Sequence, residues 1–177
     1  GLPLLSRRCP LSILAFTCIR NEGPFLLEWI AYHRLIGVTD FLFFSNDCTD
    51  GSDQLLSQLA GHGVLRHVAQ QIKPGKSPQW QALQQVAKGN ETARHDWAMF
   101  TDVDEFPVIH VGRRSLGDAI GAMPADVDAI ALPWRLFGAA GQVWFRDAPV
   151  TGQFTRSAPV DLYHPIAGRN IKTLYRP

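Results

Sequence analysis

The sequence predicts an α/β fold, a mostly parallel central sheet with helices on both faces. Short apolar runs alternate with stretches of helical periodicity from residue 11 to residue 103, the pattern of consecutive strand–helix–strand units. Three of these runs end in polar clusters, "RNEG", "SNDCTDG" and "DVDE". In such sheets ligands bind beyond the carboxyl ends of the strands. The 177 residues, 46% hydrophobic and 19% charged, suffice for a single domain over 1–177 with a sizeable core.

"LSILAFTCI" (11–19) has the length of a buried strand, and "RNEG" turns the chain. Pro24 suits the first turn of a helix whose inner face carries Leu26, Trp29, Ile30 and His33, with Gly37 as its stop. "FLFFS" (41–45) is the second strand; Ser52 or Asp53 then caps a helix with Leu55, Leu56 and Leu59 inward. "VLRHVA" (64–69) is the third strand, followed by a helix capped at Ser77 with Pro78 first, kinked or split at Gly89-Asn90. "WAMFTDV" (97–103) is the fourth strand, "SLGDAIGAM" (115–123) a short helix, and "DAIALPWRLFG" contains another strand. "QVWFR", "VTGQFTR" and "NIKTLYR" read as shorter strands.

A net charge of +1 supplies no field for nucleic acid or anionic membrane. Cys9, Cys18 and Cys48 are too few and scattered for a disulfide framework or a zinc site, and read as buried free thiols in a reducing compartment. The opening "SRRCPLSILAF" lacks a small-residue cleavage site, so a first strand explains it better than a secretion signal. No stretch is long enough to span a bilayer. These features place the chain in the cytoplasm, or at a membrane through regions outside it. A start at Gly1 and a stop at "KTLYRP" fit a piece of a longer protein.

"AMFTDVDEF" brings Asp102, Asp104 and Glu105 together after an apolar run. Carboxylates at close range repel, and desolvation sharpens the repulsion, so something positive belongs there. On an extended backbone Asp102 and Asp104 point the same way and suit Mg²⁺ or Mn²⁺, whose other positions go to water and phosphate. Such a cation can neutralise a diphosphate leaving group. A solvated acidic turn is the plainer alternative. A phosphatase of the haloacid-dehalogenase type also uses Asp-x-Asp, but after its first strand and without a Phe106. Carboxylates this close rarely flank a sugar from both sides, which disfavours glycoside hydrolysis.

"TCIRNEGPFLLEWIAYHRLIGVTDFLFFSNDCTDGSDQLL", "FTDVDEF", "LPWRLFGAAG" and the terminal "IKTLYRP", in that order, resemble glycosyltransferase family 2 and its close relatives with a GT-A fold, in a subgroup sharing the Asn-Glu opening. The resemblance implies a nucleotide-sugar donor, a UDP-sugar favoured, a divalent cation, and a carbohydrate or other hydroxyl acceptor. It implies a nucleotide pocket lined by Cys18, Arg20, Asn21 and Glu22, with Asn46 and Asp47 near the base. Asp102 would face ribose or metal, and Asp104 would bind the metal. Trp134, Arg135 and Gly138 would shape the acceptor side, and Lys172 and Arg176 would face phosphate. Relatives often carry an acid where this chain has Gln153, and commonly continue past "RP" to a histidine that completes the metal site. Here His164 is the candidate for that ligand.

Transfer with inversion, which the resemblance favours, needs a carboxylate base. Asp161, Asp147 and Glu105 are candidates, with Asp161 preferred for its place in a late acceptor-side loop. Trp29, Trp80, Trp97 and Trp144 read as core or helix-packing residues, His33 as a hydrogen-bonded core residue, and Lys172 alternatively as an exposed strand lysine. The reading is a metal-dependent glycosyltransferase. The alternatives are a non-catalytic nucleotide-sugar or glycan-binding domain and a nucleotidyltransferase.

Overall fold

A computed structural model of the chain describes residues 11–159 and 170–177. β1 (Ile13–Ile19), β2 (Asp40–Ser45), β3 (Arg66–Ala69), β4 (Trp97–Phe100), β5 (Ala129–Pro133) and β6 (Ile171–Tyr175) form a six-stranded sheet. Its order is β3-β2-β1-β4-β6-β5. β1 to β4 are mutually parallel, whereas β6 runs antiparallel to both β4 and β5. The expected α/β class is the one observed.

Strand periodicity of two divides the core between the faces. Ile13, Ala15, Phe41, Phe43, Trp97 and Met99 point to one side. There they meet α1 (Gly23–Leu35), α2 (Ser52–Gly61) and α4 (Leu116–Gly121) through Leu26, Trp29, Leu56 and Leu116. Leu14, Phe16, Leu42, Phe44 and Ala98 point to the other, against Ala82 and Val86 of α3 (Pro78–Gly89). Helices therefore cover both faces.

The helix ends follow local chemistry. Leu26, Trp29, Ile30 and His33 are the buried face of α1, as expected, and Gly37 follows it at φ 110°. α2 begins differently from expectation. Gly51, at φ 87°, is its cap residue, and Ser52 is the first helical residue. Asp50 Oδ1 accepts from the Ser52 backbone N–H at 2.9 Å, so this carboxylate supplies the capping that Ser52 or Asp53 was expected to provide. α3 starts after Ser77 and ends before Asn90, which takes a left-handed conformation at φ 54°. A 3₁₀ turn over Thr92–Arg94 follows, so the expected split falls at Gly89-Asn90. Ser115 and Asp118 close a reciprocal capping box on α4.

The tail departs from the reading. Residues 142–146 form no strand, and "VTGQ" is a helical turn, α5 (Val150–Gln153). Glu28 on α1 accepts from the Val150 and Thr151 backbone N–H groups at 2.5 and 3.0 Å and fixes that turn, a long-range contact that local periodicity does not reveal. Phe137 and Ser157 make only an isolated bridge. Trp29 and Trp97 are buried as expected, but Trp80 and Trp144 are 66% and 85% exposed. Trp80 lies on the outer side of α3, away from its buried Ala82 and Val86.

Candidate active site

Four parallel strands in register put their carboxyl ends on one edge. "RNEG" after β1, "NDCTD" after β2, Gln70 after β3 and "TDVDE" after β4 therefore converge there, which places Glu22, Asp47 and Asp104 on the same side of the sheet. The first two loops are tied together. Asn21 and Asp47 both adopt left-handed backbone (φ 58° and 49°), which their short polar side chains tolerate. The Asn21 carboxamide accepts from Thr49 N–H at 2.7 Å, and the Glu22 N–H donates to Ser52 Oγ at 3.0 Å.

The acidic segment is a turn rather than the extended stretch expected. Glu105 N–H donates to the Asp102 carbonyl at 3.1 Å, and Asp102 N–H donates to Glu105 Oε2 at 2.9 Å. Val103 is buried within it and Asp104 is exposed. Among the described residues the Asp104 carboxylate has no hydrogen-bond or ion-pair partner. Asp102 Oδ2 accepts from Lys172 Nζ at 2.8 Å, while Asp102 Oδ1 meets the Gln79 amide at 3.3 Å. Lys172 Nζ also lies 3.2 Å from Glu105 Oε2, and it sits over the rings of Phe100 (5.1 Å) and Trp134 (5.8 Å). Burial works against the charged ammonium, but Asp102 and Glu105 outweigh it and hold the Lys172 pKa above the ordinary lysine value. Glu22 moves the other way for an acid. Burial, then the nearby Asp104 and Asp102, push its carboxyl up to about 7.

A cleft of about 340 Å³ opens beside this cluster, lined by Cys18, Ile19, Arg20, Glu22, Asn46, Ser77, Pro78 and Gln79. Its floor is neutral and polar. Gln70 is buried and donates to Cys18 Sγ at 3.2 Å and to the Pro78 carbonyl at 3.3 Å; Cys18 Sγ in turn donates to Asn46 Oδ1 at 3.7 Å. Burial pushes the Cys18 thiol up to about 11 despite the Gln70 amide, which favours the protonated thiol. A larger hollow of about 470 Å³ lies along edge strand β3. The carboxylate on its lining, Glu91, is already paired with Arg66, whereas the smaller cleft adjoins the acidic turn.

Cys18, Arg20, Glu22 and Asn46 line this cleft, with Asp102 reaching it through Gln79, and Asn21 and Asp47 on the adjoining loops. Lys172 joins them because β6 is antiparallel. Leu174 pairs with Met99, so the start of β6 lies at the carboxyl end of β4. The same register sends Arg176 to the opposite end of the sheet, over the Trp97 ring at 5.3 Å and 3.4 Å from Asp128. The expected phosphate role for Arg176 does not fit that placement. Lys172, read alternatively as an exposed lysine, is held in an ion-pair cluster instead. Trp134 is 38% exposed beside Lys172. Glu105 is committed to Thr101, Asp102 and Lys172, which disfavours it as a base, and Asp147 is exposed. Asp161, His164 and Cys9 lie outside the described residues.

Sequence reasoning missed the supports. Trp29 Nε1 donates to the Asp102 carbonyl at 2.9 Å, and the Tyr32 hydroxyl donates to the Pro107 carbonyl at 2.8 Å. Helix α1 thus grips both ends of the acidic segment. The polar tips of these ring side chains were the available signal, since a buried Trp or Tyr usually finds a partner. Gln70 and Gln79 carried no signal beyond their place near a strand end and a helix start.

The family model of glycosyltransferase family 92 matches residues 18–135, the span that runs from the cleft through the acidic turn to Trp134. The chain belongs to glycosyltransferase family 92. The resemblance to family 2 gives way to that membership. A family 92 protein of Oryza sativa subsp. japonica is 27% identical over 155 residues, covering 84% of this chain and 25% of that protein. One of Ricinus communis is 31% identical over 124 residues, covering 67% and 21%, and one of Arabidopsis thaliana is 33% identical over 92 residues, covering 51% and 15%. The chain therefore spans a quarter or less of these curated relatives. The solved structure of a 4-diphosphocytidyl-2C-methyl-D-erythritol synthase aligns at a TM-score of 0.43 and 9% identity, covering 96% of this chain and 75% of that one. A likeness this loose carries no argument. Among the described residues no helix is long and apolar enough to cross a membrane.

Proposed function

We propose that this family 92 chain holds the donor site of a glycosyltransferase that moves a sugar from a nucleoside diphosphate carrier, a UDP-sugar, to a hydroxyl acceptor. One observation carries the reading. Asp102, Asp104 and Glu22 lie at the carboxyl edge of the parallel strands, beside a polar cleft and next to the half-buried ammonium of Lys172.

Asp102 and Asp104 offer the hard oxygen ligands that a divalent cation takes. Asp102, Asp104 and Glu105 outnumber Lys172, so the cluster has surplus negative charge, and Asp104 offers oxygens not engaged by any described residue. Among the described residues no group of three or more His, Cys, Asp or Glu could hold a metal. Mg²⁺ or Mn²⁺ would therefore rest on Asp102 and Asp104 and keep water and phosphate oxygens as its other ligands. When bound, it would supply a Lewis acid for the departing diphosphate. The chain's own residues do the rest. Lys172 contributes a fixed positive charge, the Asn46–Cys18–Gln70 floor gives the cleft neutral hydrogen-bonding groups, and α1 fixes the acidic turn through Trp29 and Tyr32.

The test is incubation with UDP-sugars and Mn²⁺, without acceptor. Slow release of UDP supports the reading. Binding without turnover would favour a non-catalytic domain, and release of pyrophosphate in a separate incubation with a nucleoside triphosphate and a sugar phosphate would mark a nucleotidyltransferase.

A further inference from the structure

Lys172 Nζ has two carboxylate seats, and they are not equivalent. The Asp102 seat is the closer, at 2.8 Å against 3.2 Å for Glu105. The Asp102 side chain is 32% exposed, however, and among the described residues its other oxygen meets the Gln79 amide alone. The Glu105 side chain is 18% exposed. Its Oε2 is also held by the Thr101 hydroxyl at 3.0 Å and the Asp102 N–H at 2.9 Å, and Thr101 is itself buried. Asp102 is therefore the seat that can be taken away, and Glu105 the seat that stays.

We propose that Glu105 is a positioning residue that retains the Lys172 ammonium at the site when Asp102 turns to a cation, so that the ammonium stays available to the donor's diphosphate. The inference rests on the donor reading above. Without Glu105, an ammonium displaced from Asp102 would have, among the described residues, the faces of Phe100 and Trp134 at 5.1 and 5.8 Å, which are weaker and non-directional partners. Asp102 would then be claimed by Lys172 or by the cation, and not shared in sequence. The glutamate also closes the turn that presents Asp102, so both effects run through one side chain. Glu105→Gln separates them. The amide oxygen can still accept from Thr101 and Asp102 N–H, while the charge that holds Lys172 is gone.

Two measurements test the proposal. The first needs no ligand. An ammonium seated in ion pairs exchanges its protons slowly and gives a resolved ¹⁵Nζ–¹H signal at low temperature. That signal is expected in the wild type, in Asp102→Asn, where Glu105 holds the ammonium, and in Glu105→Gln, where Asp102 at 2.8 Å does, and is expected to be lost in the double variant. Its absence from the wild type, its loss in Asp102→Asn or its survival in the double variant would overturn the proposal. The second is calorimetry of UDP in the presence of Mn²⁺. Glu105→Gln is expected to weaken binding by roughly three- to tenfold, the scale of one partly exposed charged hydrogen bond, and to have no effect in a Lys172→Met background. Equal losses in both backgrounds would mean that Glu105 acts independently of Lys172, and would overturn the proposal. A wild-type protein that does not bind UDP with Mn²⁺ would refute the donor reading instead, and the lysine signal would still decide where the ammonium sits.

Discussion

Replacing Trp29 by Phe tests the claim that helix α1 positions the acidic turn. The indole is fully buried, 3.9 Å from the His33 ring and 5.4 and 5.8 Å from Phe43 and Phe41, centroid to centroid. Phe keeps an aromatic ring among them and removes the N–H that reaches the Asp102 carbonyl at 2.9 Å. That carbonyl retains the Glu105 N–H at 3.1 Å, so it is not orphaned, and the lost bond costs about 1 kcal/mol. The smaller ring leaves a partly filled space that costs roughly another 1–2 kcal/mol. For a chain of this size, about 2–3 kcal/mol lowers the melting temperature by roughly 5–10 °C.

Stability alone does not separate a tether from an ordinary core residue. Phe43→Leu is the control: Phe43 is equally buried and touches no part of the turn through a hydrogen bond, and its loss costs roughly 1–2 kcal/mol by packing. Thermal unfolding should place the two variants within a few degrees of each other. Calorimetry of UDP with Mn²⁺ should then weaken severalfold in Trp29→Phe and hold steady in Phe43→Leu. Equal weakening in both, or in neither, would refute the tether and reduce Trp29 to packing.

Three other outcomes are expected. Asp104→Asn should lower Mn²⁺ affinity about tenfold or more in titration, while metal-free stability stays level or rises because one member of a repelling set is neutralised; a large metal-free loss would make the cluster structural. His33 is held neutral by burial, its pKa lowered to about 4 against the Trp29 carbonyl that pulls it up. Its contribution is thus complete above pH 6.5 and falls away as pH drops toward 4, by roughly 3 kcal/mol at most. Denaturant melts should show that slope in the wild type and a flatter one in His33→Gln. Arg176→Ala should leave UDP affinity unchanged and reduce stability by less than about 1 kcal/mol, the usual value of an exposed pair; a loss of nucleotide binding would contradict its place at the far end of the sheet.

What was legible in the sequence was what chain-local periodicity encodes. The buried face of α1, the Ser77-Pro78 helix start, the break at Gly89-Asn90 and the polar ends of β1, β2 and β4 each depend on neighbours within a few residues. Parallel strands then bring those ends together without further information. The rest depends on partners far along the chain. Lys172 reaches Asp102 across 70 positions, Trp29 reaches the same residue across 73, and Glu28 fixes Thr151 across 123. "VTGQFTR" is rich in strand formers, yet four of its residues are helical because Glu28 supplies a cap that no local rule anticipates.

Lys172 and Arg176 make the same point within one strand. They are four residues apart on or just beyond β6, and read from sequence alone they are two basic residues in one terminal motif. An antiparallel strand rises about 3.4 Å per residue, so four residues separate them by roughly 13 Å along the sheet. Across the width of this sheet that distance is the difference between the site edge and its opposite, because β4 is only a four-residue strand. Direction decides which of the two stays. Had β6 run parallel to β4, Arg176 would lie with the carboxylates and Lys172 beside Trp97. The antiparallel register, Met99 with Leu174, gives the acidic turn a lysine instead. A lysine presents one compact charge where an arginine presents a planar fork. It is shared between Asp102 and Glu105 at 2.8 and 3.2 Å. A guanidinium would tend to lock onto one carboxylate through two parallel bonds. The choice of strand direction is therefore also the choice of a charge that two carboxylates hold at once.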